Sequence, residues 1–442
     1  KPYAAWSRSK HALKQLYALL VLCCSTAVMA AGPLVLEGPN GHVPARYENP
    51  TIVFNIEGGP LGIRDNDTAD ELVRDALAVW NNIGTSTVSL IQGADVTVNS
   101  VPVDIDETNF TSYIPDPFNS TIHNDDDGLN PIVYDSDGSI IDAYFGVGQG
   151  TGPDASVVGF AASSIFIGAS FFTEGFAVIN GNDSLPINSN QLKLIVAHEI
   201  GHYLGLDHSQ LNINNTEAFS DRCPAEPDDY PLMYPYACRI SQVTHSDDNV
   251  SLSTLYPTAG FYPAQAQLTG KFVTADGAPV RGANLWVENM QTGEVISIVS
   301  DYLQQCTGFF ALMLPPGIYT LHANSINTEF TGGSSVGPYA SNLSDLSFQS
   351  PASDIGSDLA FNAEGEVPAI ITLEAGKSVD VVFRTDGSGN FTLNDSQVDL
   401  VQIYNSADAC PSSGGGGGSP SLPLLAALFC IPVFRTFARR LS

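Results

Sequence analysis

The sequence predicts an α/β (α+β) unit with a mixed sheet, followed by an all-β unit. The chain has 442 residues, and at roughly 150 residues per domain this length suggests two or three domains. Helix and strand patterns alternate up to Pro257, whereas strand patterns dominate after it. A low charged fraction of 14% is typical of a β-rich extracellular protein. We therefore place the first unit at residues 32–258 and the second at 266–408.

The first unit should contain two long helices among its strands. Apolar residues recur at helical spacing in residues 68–83, TADELVRDALAVWNNI, with Thr68 or Asp70 as the expected N-cap. A second helix is expected in residues 191–205, QLKLIVAHEIGHYLG, capped by Asn190 and ended by Gly205. The expected strands are TIVFNI (51–56), STVSLI (86–91), PIVYD (131–135), SSIFIGAS (163–170) and GFAVING (175–181).

The second unit consists of strand patterns broken by turn residues. Residues 266–301 and 309–324 alternate polar and apolar positions, and their DG, TG and PPG dipeptides and tripeptide predict tight turns. SVDVVFRTD, residues 378–386, continues the pattern. This part of the chain is therefore expected to form an all-β sandwich.

Both ends of the sequence have the composition of targeting segments. Residues 1–31 combine basic residues, the apolar run LYALLVLCCSTAVMA and small residues, which predicts a signal peptide cut near Ala30 or Ala31. That run is short for a membrane anchor. A glycine-rich linker, 409–421, leads into 422–442, where about a dozen apolar residues precede three arginines. We expect 422–442 to anchor the chain transiently in a membrane; a GPI signal is the alternative.

The region between these ends is strongly acidic. All 47 acidic residues lie between Glu37 and Asp408, together with ten of the 17 basic ones, which gives that span a net charge of −37. Such a surface repels nucleic acid and anionic membranes. It is compatible with an exported protein that stays soluble in salt or binds cations.

An exported chain can form disulfides. Outside the two end segments the cysteines are Cys223, Cys238, Cys306 and Cys410, and these allow three pairings. Cys223 and Cys238 are close in sequence and flank PLMYPYA, so we favour that pair. Cys306 with Cys410 then follows by elimination.

Residues 198–208, HEIGHYLGLDH, contain three of the eight histidines in the chain. On a helix, His198 and His202 are four residues apart and lie on one face, so both imidazoles can reach one ion. Gly205 can adopt a left-handed conformation that returns His208 as a third ligand. Three protein ligands leave a zinc position open, which is the catalytic pattern. Glu199, on the neighbouring side, is placed to act as general base.

The length of the motif decides against a chance match. A bare HExxH occurs by chance in helices, where the histidines are ordinary surface residues. Here the pattern continues through Gly205 and His208, and a candidate Met-turn, PLMYPYA with Met233, follows 25 residues beyond His208. Together these features favour a zinc peptidase site.

HEIGHYLGLDH together with LMYPYA resembles the metzincin clan of zinc metallopeptidases, and most closely its matrixin branch, over residues 50–257. The resemblance implies that His198, His202 and His208 bind zinc and that Glu199 is the catalytic general base. It places Met233 beneath the metal as an apolar floor, and it assigns Tyr234, Pro235 and Tyr236 to a wall of the substrate pocket. HSDDNVSLSTLYP resembles the last helix of the matrixin catalytic domain, including its two adjacent acids.

The sequence also departs from the matrixin pattern. No cysteine lies between Ala31 and Pro50, so the pro-segment latch of that family is absent from this stretch. Matrixins hold a second, structural zinc through several histidines in the region before the active helix; only His123 is available in that region here, so we do not predict this zinc. DDDG and DSDG resemble parts of calcium loops, and the two stretches fit Ca²⁺ binding and ordinary polar turns equally well. The candidate ligands are Asp125, Asp126, Asp127, Asp135, Asp137 and Asp142.

The remaining resemblances concern the C-terminal half. LTGKFVTADGAPVRGANLWVENMQTGE and PPGIYTLHAN resemble transthyretin-like (carboxypeptidase regulatory-like) domains. The tail is similar to the GlyGly sorting signals of exported Gram-negative proteins, which implies contact with export and sorting machinery and a cell-surface or secreted location. The sequence thus predicts an exported zinc metalloendopeptidase (hydrolase) that cleaves protein or peptide substrates and does not bind nucleic acid. The alternative is a surface adhesion protein that uses the metzincin unit as a scaffold.

Overall fold

The computed structural model combines helices and strands in several sheets, and the prediction of a mixed α and β architecture is confirmed. It describes residues 32–38, 41–115, 127–153, 155–166, 168–209, 211, 223, 226–274, 277–303, 305–325, 336, 359–360, 370–385, 391–399 and 429–432. The predicted signal peptide and glycine linker lie outside these residues, as does most of the predicted tail.

The elements up to the candidate site are short strands, one large sheet and three helices. In chain order they are β1 (Leu36–Glu37), β2 (Val43–Pro44), β3 (Arg46–Tyr47), β4 (Thr51–Ile56), α1 (Asn66–Asn81), β5 (Ser89–Gln92), β6 (Thr97–Val98), β7 (Val101–Pro102), β8 (Pro131–Asp135), α2 (Ser139–Phe145), β9 (Val157–Ile165), β10 (Phe171–Asn180) and α3 (Ser189–Tyr203).

The elements that follow are two helices and further strands. They are α4 (Ser246–Leu255), α5 (Phe261–Ala264), β11 (Ala266–Thr274), β12 (Ala283–Asn289), β13 (Val295–Val299), β14 (Phe309–Leu314), β15 (Gly317–Ser325), β16 (Leu359–Ala360), β17 (Ile370–Leu373), β18 (Lys377–Thr385), β19 (Phe391–Asp399) and β20 (Phe429–Pro432). Short 3₁₀ turns also occur at Phe110–Ser112 and Pro227–Asp229.

The first large sheet is mixed. Its strand order is β20-β9-β10-β8-β4-β5, with β3 paired to β10. Strands β10, β8, β4 and β5 are parallel to their neighbours in that run, whereas β9 runs antiparallel to β10. Within the predicted tail, β20 pairs antiparallel with β9. Helix α3 packs against α1 and against strands β9 and β10.

The C-terminal strands form two further sheets. One has the order β14-β11-β18-β19, and the other β13-β12-β15-β16 with β17 paired to β15. Most of their buried apolar residues form one core cluster, which also includes Val250 of α4 and Phe261 of α5. The C-terminal strands therefore pack against the elements that follow the candidate site.

Strands β4 and β8 coincide with the predicted strands TIVFNI and PIVYD. The prediction of a strand over residues 163–170 is wrong, because β9 ends at Ile165 and β10 begins at Phe171. The first seven residues of β9 are all buried. A strand buried on both faces has no polar and apolar alternation to mark its bounds, which explains the error.

Both long helices begin earlier than predicted. The N-cap of α1 is Asp65, not Thr68 or Asp70, and its carboxylate accepts the Thr68 N–H at 3.0 Å. The N-cap of α3 is Asn188, not Asn190, and it forms a reciprocal capping box with Gln191. Several cap-forming residues precede each helix, and only the backbone path decides which side chain reaches an N–H group. None of the helices in the described part of the chain has the length and apolar character of a membrane span.

Candidate metal centre

Helix α3 places two imidazoles side by side in the interior. His198 and His202 are four residues apart and both are buried. The Nδ1 of His198 donates to the Leu232 carbonyl at 2.7 Å, and the Nδ1 of His202 donates to the Leu206 carbonyl at 2.8 Å. Because a carbonyl oxygen can only accept, each Nδ1 carries the proton and each Nε2 keeps its lone pair. These hydrogen bonds therefore aim both Nε2 atoms at the same point.

A glycine turn returns the third histidine to the helix. Gly205, at φ +96°, follows the helix end, and the Leu206 N–H donates back to the Gly201 carbonyl at 3.0 Å. A Cβ at Gly205 would lie 2.9 Å from the Ala45 carbonyl oxygen. Both its backbone angle and its surroundings thus favour glycine. The turn brings the Nε2 of His208 to 3.3 Å from that of His198 and 3.2 Å from that of His202.

The three nitrogens fit a divalent metal ion. Among the described residues, the triad of His198, His202 and His208 is the group of three or more candidate ligands whose ligand atoms all lie within 4.8 Å. Zn–N bonds of about 2.05 Å in tetrahedral geometry separate two ligand nitrogens by about 3.3 Å, which agrees with the observed spacing. Burial lowers the pKa of His198 to about 4 and that of His202 well below its ordinary value. Neutral imidazoles are the form that binds metal.

Glu199 lies next to this triad in the sequence and has an unusual environment. Its side chain is fully buried, and neither carboxylate oxygen has a hydrogen-bond partner among the described residues. Burial raises the pKa of Glu199 well above its usual range. A buried carboxyl group without hydrogen-bond partners is energetically costly. Gly159 of β9 leaves room for it, because a Cβ there would lie 3.0 Å from the Glu199 Cγ.

Met233, the predicted apolar floor of the site, packs against α3. It is buried, and a Cβ at Gly201 would lie only 2.2 Å from its Sδ. Asp248 of α4 holds this segment, because its carboxylate accepts the N–H groups of Leu232 at 2.8 Å and Met233 at 3.0 Å. Gly201, the first glycine of HEIGHYLGLDH, thus permits close contact between α3 and the Met233 turn.

Of the three residues predicted to form a wall of the substrate pocket, one lines a small cavity beside the histidine triad. A cavity of about 20 Å³ beside His198 is lined by Gln191, Leu194, Ile195, His198, Leu232, Tyr236, Ala237 and Arg239. Tyr236 therefore contributes to it, whereas Tyr234 and Pro235 are buried elsewhere and do not line it. The sequence pattern did not identify Arg239, whose guanidinium donates to the Tyr230 carbonyl at 2.7 Å and to the Asp228 carbonyl at 3.0 Å. Because Arg239 binds backbone carbonyls, which every residue has, no residue pattern in the sequence predicts this role.

The favoured cysteine pair lies beside this wall. Cys223 and Cys238 are joined as a disulfide, with their Cα atoms 5.5 Å apart. Cys238 belongs to a small buried cluster with Tyr230, Tyr234 and Tyr236. The pair therefore ties down the segment that follows Met233. Cys410 lies outside the described residues, so its pairing with Cys306 stays a prediction.

The candidate calcium ligands that the structure describes accept hydrogen bonds from N–H groups of the protein. The carboxylate of Asp135 accepts N–H groups of Gly138, Ile140 and Ile141 at 2.8–3.2 Å. That of Asp142 accepts N–H groups of the loop after α2. Asp137 and Asp127 each cap a residue two positions ahead. These contacts are those of polar turns; Asp125, Asp126 and His123 lie outside the described residues.

Comparison with known proteins adds no assignment. No protein-family model matches the chain, and no curated protein matches its sequence. The functional argument therefore comes from the geometry of the site.

Proposed function

We propose that this chain is an exported, zinc-dependent endopeptidase of metzincin type that hydrolyses peptide bonds of extracellular proteins. The observation that carries the proposal is the combination of three converging histidine nitrogens with the buried, unpartnered carboxyl group of Glu199. A purely structural metal site needs a fourth protein ligand and has no use for such a carboxyl group. A scaffold for adhesion would not need it either.

The residues divide the chemistry between them. His198, His202 and His208 would hold a zinc ion, which supplies Lewis-acid activation of water and of the scissile carbonyl. Glu199 takes a proton from the attacking water and delivers it to the leaving amine nitrogen as the C–N bond breaks. The Met233 turn supports the histidines from below. The narrow cavity beside His198 would receive a small side chain of the residue that follows the cut bond, because its volume of about 20 Å³ has room for little more than one water molecule.

The rest of the sequence supports an extracellular setting for this reaction. We infer a signal peptide over residues 1–31, a transthyretin-like β sandwich over 266–408, and a cleavable sorting tail at the C-terminal end of a Gram-negative exported protein. The disulfide between Cys223 and Cys238 is compatible with export. Protein or peptide substrates suit the proposed chemistry, and the net charge of −30 disfavours nucleic acid.

The decisive test compares casein or gelatin cleavage by the wild type, Glu199→Ala and Glu71→Ala, with and without a zinc chelator. Glu71 is exposed on α1, so its substitution controls for loss of a carboxylate as such. We expect cleavage by wild type and Glu71→Ala, inhibition of both by the chelator, and a loss of about 10²–10⁴-fold in Glu199→Ala. Equal activity of Glu199→Ala and wild type, or no cleavage by a folded wild type that binds zinc, would refute the peptidase.

A further inference from the structure

The loop that carries His208 is joined to the C-terminal strands through one carboxylate. Asp247, in the first turn of α4, accepts the hydroxyl of Ser209 at 2.6 Å and the backbone N–H of Ser297 at 2.7 Å. Ser209 directly follows His208, and Ser297 lies in the middle of β13. All three residues are buried. The carboxylate of Asp247 therefore connects the third histidine's loop with a strand almost 90 residues further along the chain.

An apolar contact runs beside this polar one. Leu211, Trp286 of β12 and Val295 of β13 form a separate buried cluster. The Leu211 N–H also donates to the Ser209 hydroxyl at 3.2 Å. Ser209 and Leu211, which contact the C-terminal strands, are thus also hydrogen-bonded to each other.

His208 needs this support more than the other two histidines do. His198 and His202 are fixed by the helix that carries them, whereas His208 follows the glycine turn outside any regular element. On its other side the loop is held by the Ser209 N–H, which donates to the Met233 carbonyl at 2.8 Å. The contacts of Ser209 therefore help to fix the backbone next to His208.

We propose that Asp247 is a positioning residue for the third metal ligand, and that strand β13 of the C-terminal part acts on the metal site through it. This inference depends on the zinc site of the proposed function but not on its peptidase activity. Removal of the Asp247 carboxylate leaves the Ser209 hydroxyl and the Ser297 N–H without their buried acceptor. The loop then loses its fixed position, and the site binds zinc more weakly.

The first experiment measures zinc affinity by competition with a chromophoric chelator in the full chain. Asp247→Ala and the milder Ser209→Ala are compared with Ser251→Ala. Ser251 is a buried serine of the same helix, but its hydroxyl donates to the backbone carbonyl of Asp247 at 2.7 Å and not to the carboxylate. We expect the zinc dissociation constant to rise about tenfold or more in the first two variants and to change less than twofold in Ser251→Ala. The visible spectrum of the Co²⁺-loaded protein should shift in the same two variants.

The second experiment approaches the site from the C-terminal strands. Val295→Ala shortens the β13 side chain that contacts Leu211, while Val287→Ala shortens an equally buried valine of β12 in the main C-terminal core. We expect Val295→Ala to weaken zinc binding several-fold and Val287→Ala to leave it unchanged.

The outcomes separate this inference from the proposed function. A wild type that does not bind zinc would overturn the zinc site itself. A wild type that binds zinc, with unchanged affinity in Ser209→Ala and Asp247→Ala, would overturn only the role of Asp247. Equal weakening by Val295→Ala and Val287→Ala, or by Ser251→Ala and Ser209→Ala, would assign the effect to general destabilisation and overturn the inference. If Asp247→Ala does not fold, Ser209→Ala and the valine pair decide.

Discussion

Glu57 and Glu199 are equally buried glutamates in two regions of the molecule, and their surroundings are opposite. Glu57 follows β4 and is 1% exposed, while Glu199 in α3 is 0% exposed. The carboxylate of Glu57 accepts the backbone N–H groups of Ile105 and Tyr134. The carboxylate of Glu199 accepts no hydrogen bond from the described residues. The Glu57 carboxylate joins a strand to a loop, whereas both oxygens of Glu199 have no hydrogen-bond partner among the described residues.

The comparison shows that hydrogen bonding, and not burial or pKa, distinguishes these two buried acids. Burial raises the pKa of Glu57 to about 9, although its two N–H donors oppose the shift. Burial also raises the pKa of Glu199. A perturbed pKa alone would therefore mark both glutamates as candidates for a functional site. Only Glu199 combines that shift with unused acceptor atoms beside a cluster of metal-binding nitrogens.

The largest effects should come from substituting each of these two glutamates, because one substitution should lower stability and the other should lower activity. Glu57→Ala leaves two buried N–H groups unpaired and should lower the free energy of unfolding by roughly 3 kcal/mol, with zinc affinity unchanged. Glu199→Gln should leave the free energy of unfolding unchanged or raise it, because no hydrogen bond is lost, while activity falls about 10²–10⁴-fold. Urea unfolding, zinc competition and peptide cleavage measure the three quantities. A Glu199→Gln variant as unstable as Glu57→Ala would contradict the distinction.

Part of this picture could be predicted from sequence, because it depends on local spacing. The four-residue interval between His198 and His202 and the glycine at 205 are enough to predict a helix, a turn and three converging nitrogens. The two N-caps were missed because several polar side chains compete within a few residues of each helix start. The mixed sheet was expected, but the bounds of β9 were not, since a fully buried strand lacks alternation.

The supporting acids could not be assigned in this way. From sequence alone, Asp247 and Asp248 are two acids at the start of a helix, where negative charge is favourable. Met233, a partner of Asp248, lies 15 residues away in sequence, and Ser297, a partner of Asp247, lies 50 residues away, so only the folded chain brings them together. Glu57 gave no sequence signal for the same reason, because its donors lie 48 and 77 residues further along.

A smaller effect should come from filling the space beside Glu199. A Cβ at Gly159 would lie 3.0 Å from the Glu199 Cγ and Oε1, so Gly159→Ala must displace that carboxyl group. We expect activity to fall about tenfold or more and the free energy of unfolding to fall by roughly 1 kcal/mol. Gly84→Ala is the control, because a Cβ there meets nothing within 4 Å. Peptide cleavage and urea unfolding measure the effects. Full activity in Gly159→Ala would show that the position of the Glu199 carboxyl group is not critical.

The last prediction concerns the pH dependence of stability that Glu57 contributes. Its pKa is raised from an ordinary value of 4.5 to about 9 in the folded protein. Between these values the folded state holds a proton that the unfolded state releases. The contribution to stability is therefore complete below about pH 4.5 and is lost as the pH rises through about 9. One fully coupled proton changes the free energy of unfolding by about 1.4 kcal/mol per pH unit, which sets the upper limit for this group.

Glu57→Gln removes that proton while it keeps an acceptor for one of the two N–H groups. We expect its free energy of unfolding to fall less steeply than that of the wild type between pH 5 and 8, whatever the offset between the two curves. Some slope should remain, because burial also raises the pKa of Asp135 to about 7. Urea unfolding at unit pH steps measures both slopes, with the exposed Glu71→Gln as control. Parallel curves for wild type and Glu57→Gln would mean that Glu57 is ionised in the folded protein, held in that form by the Ile105 and Tyr134 N–H groups.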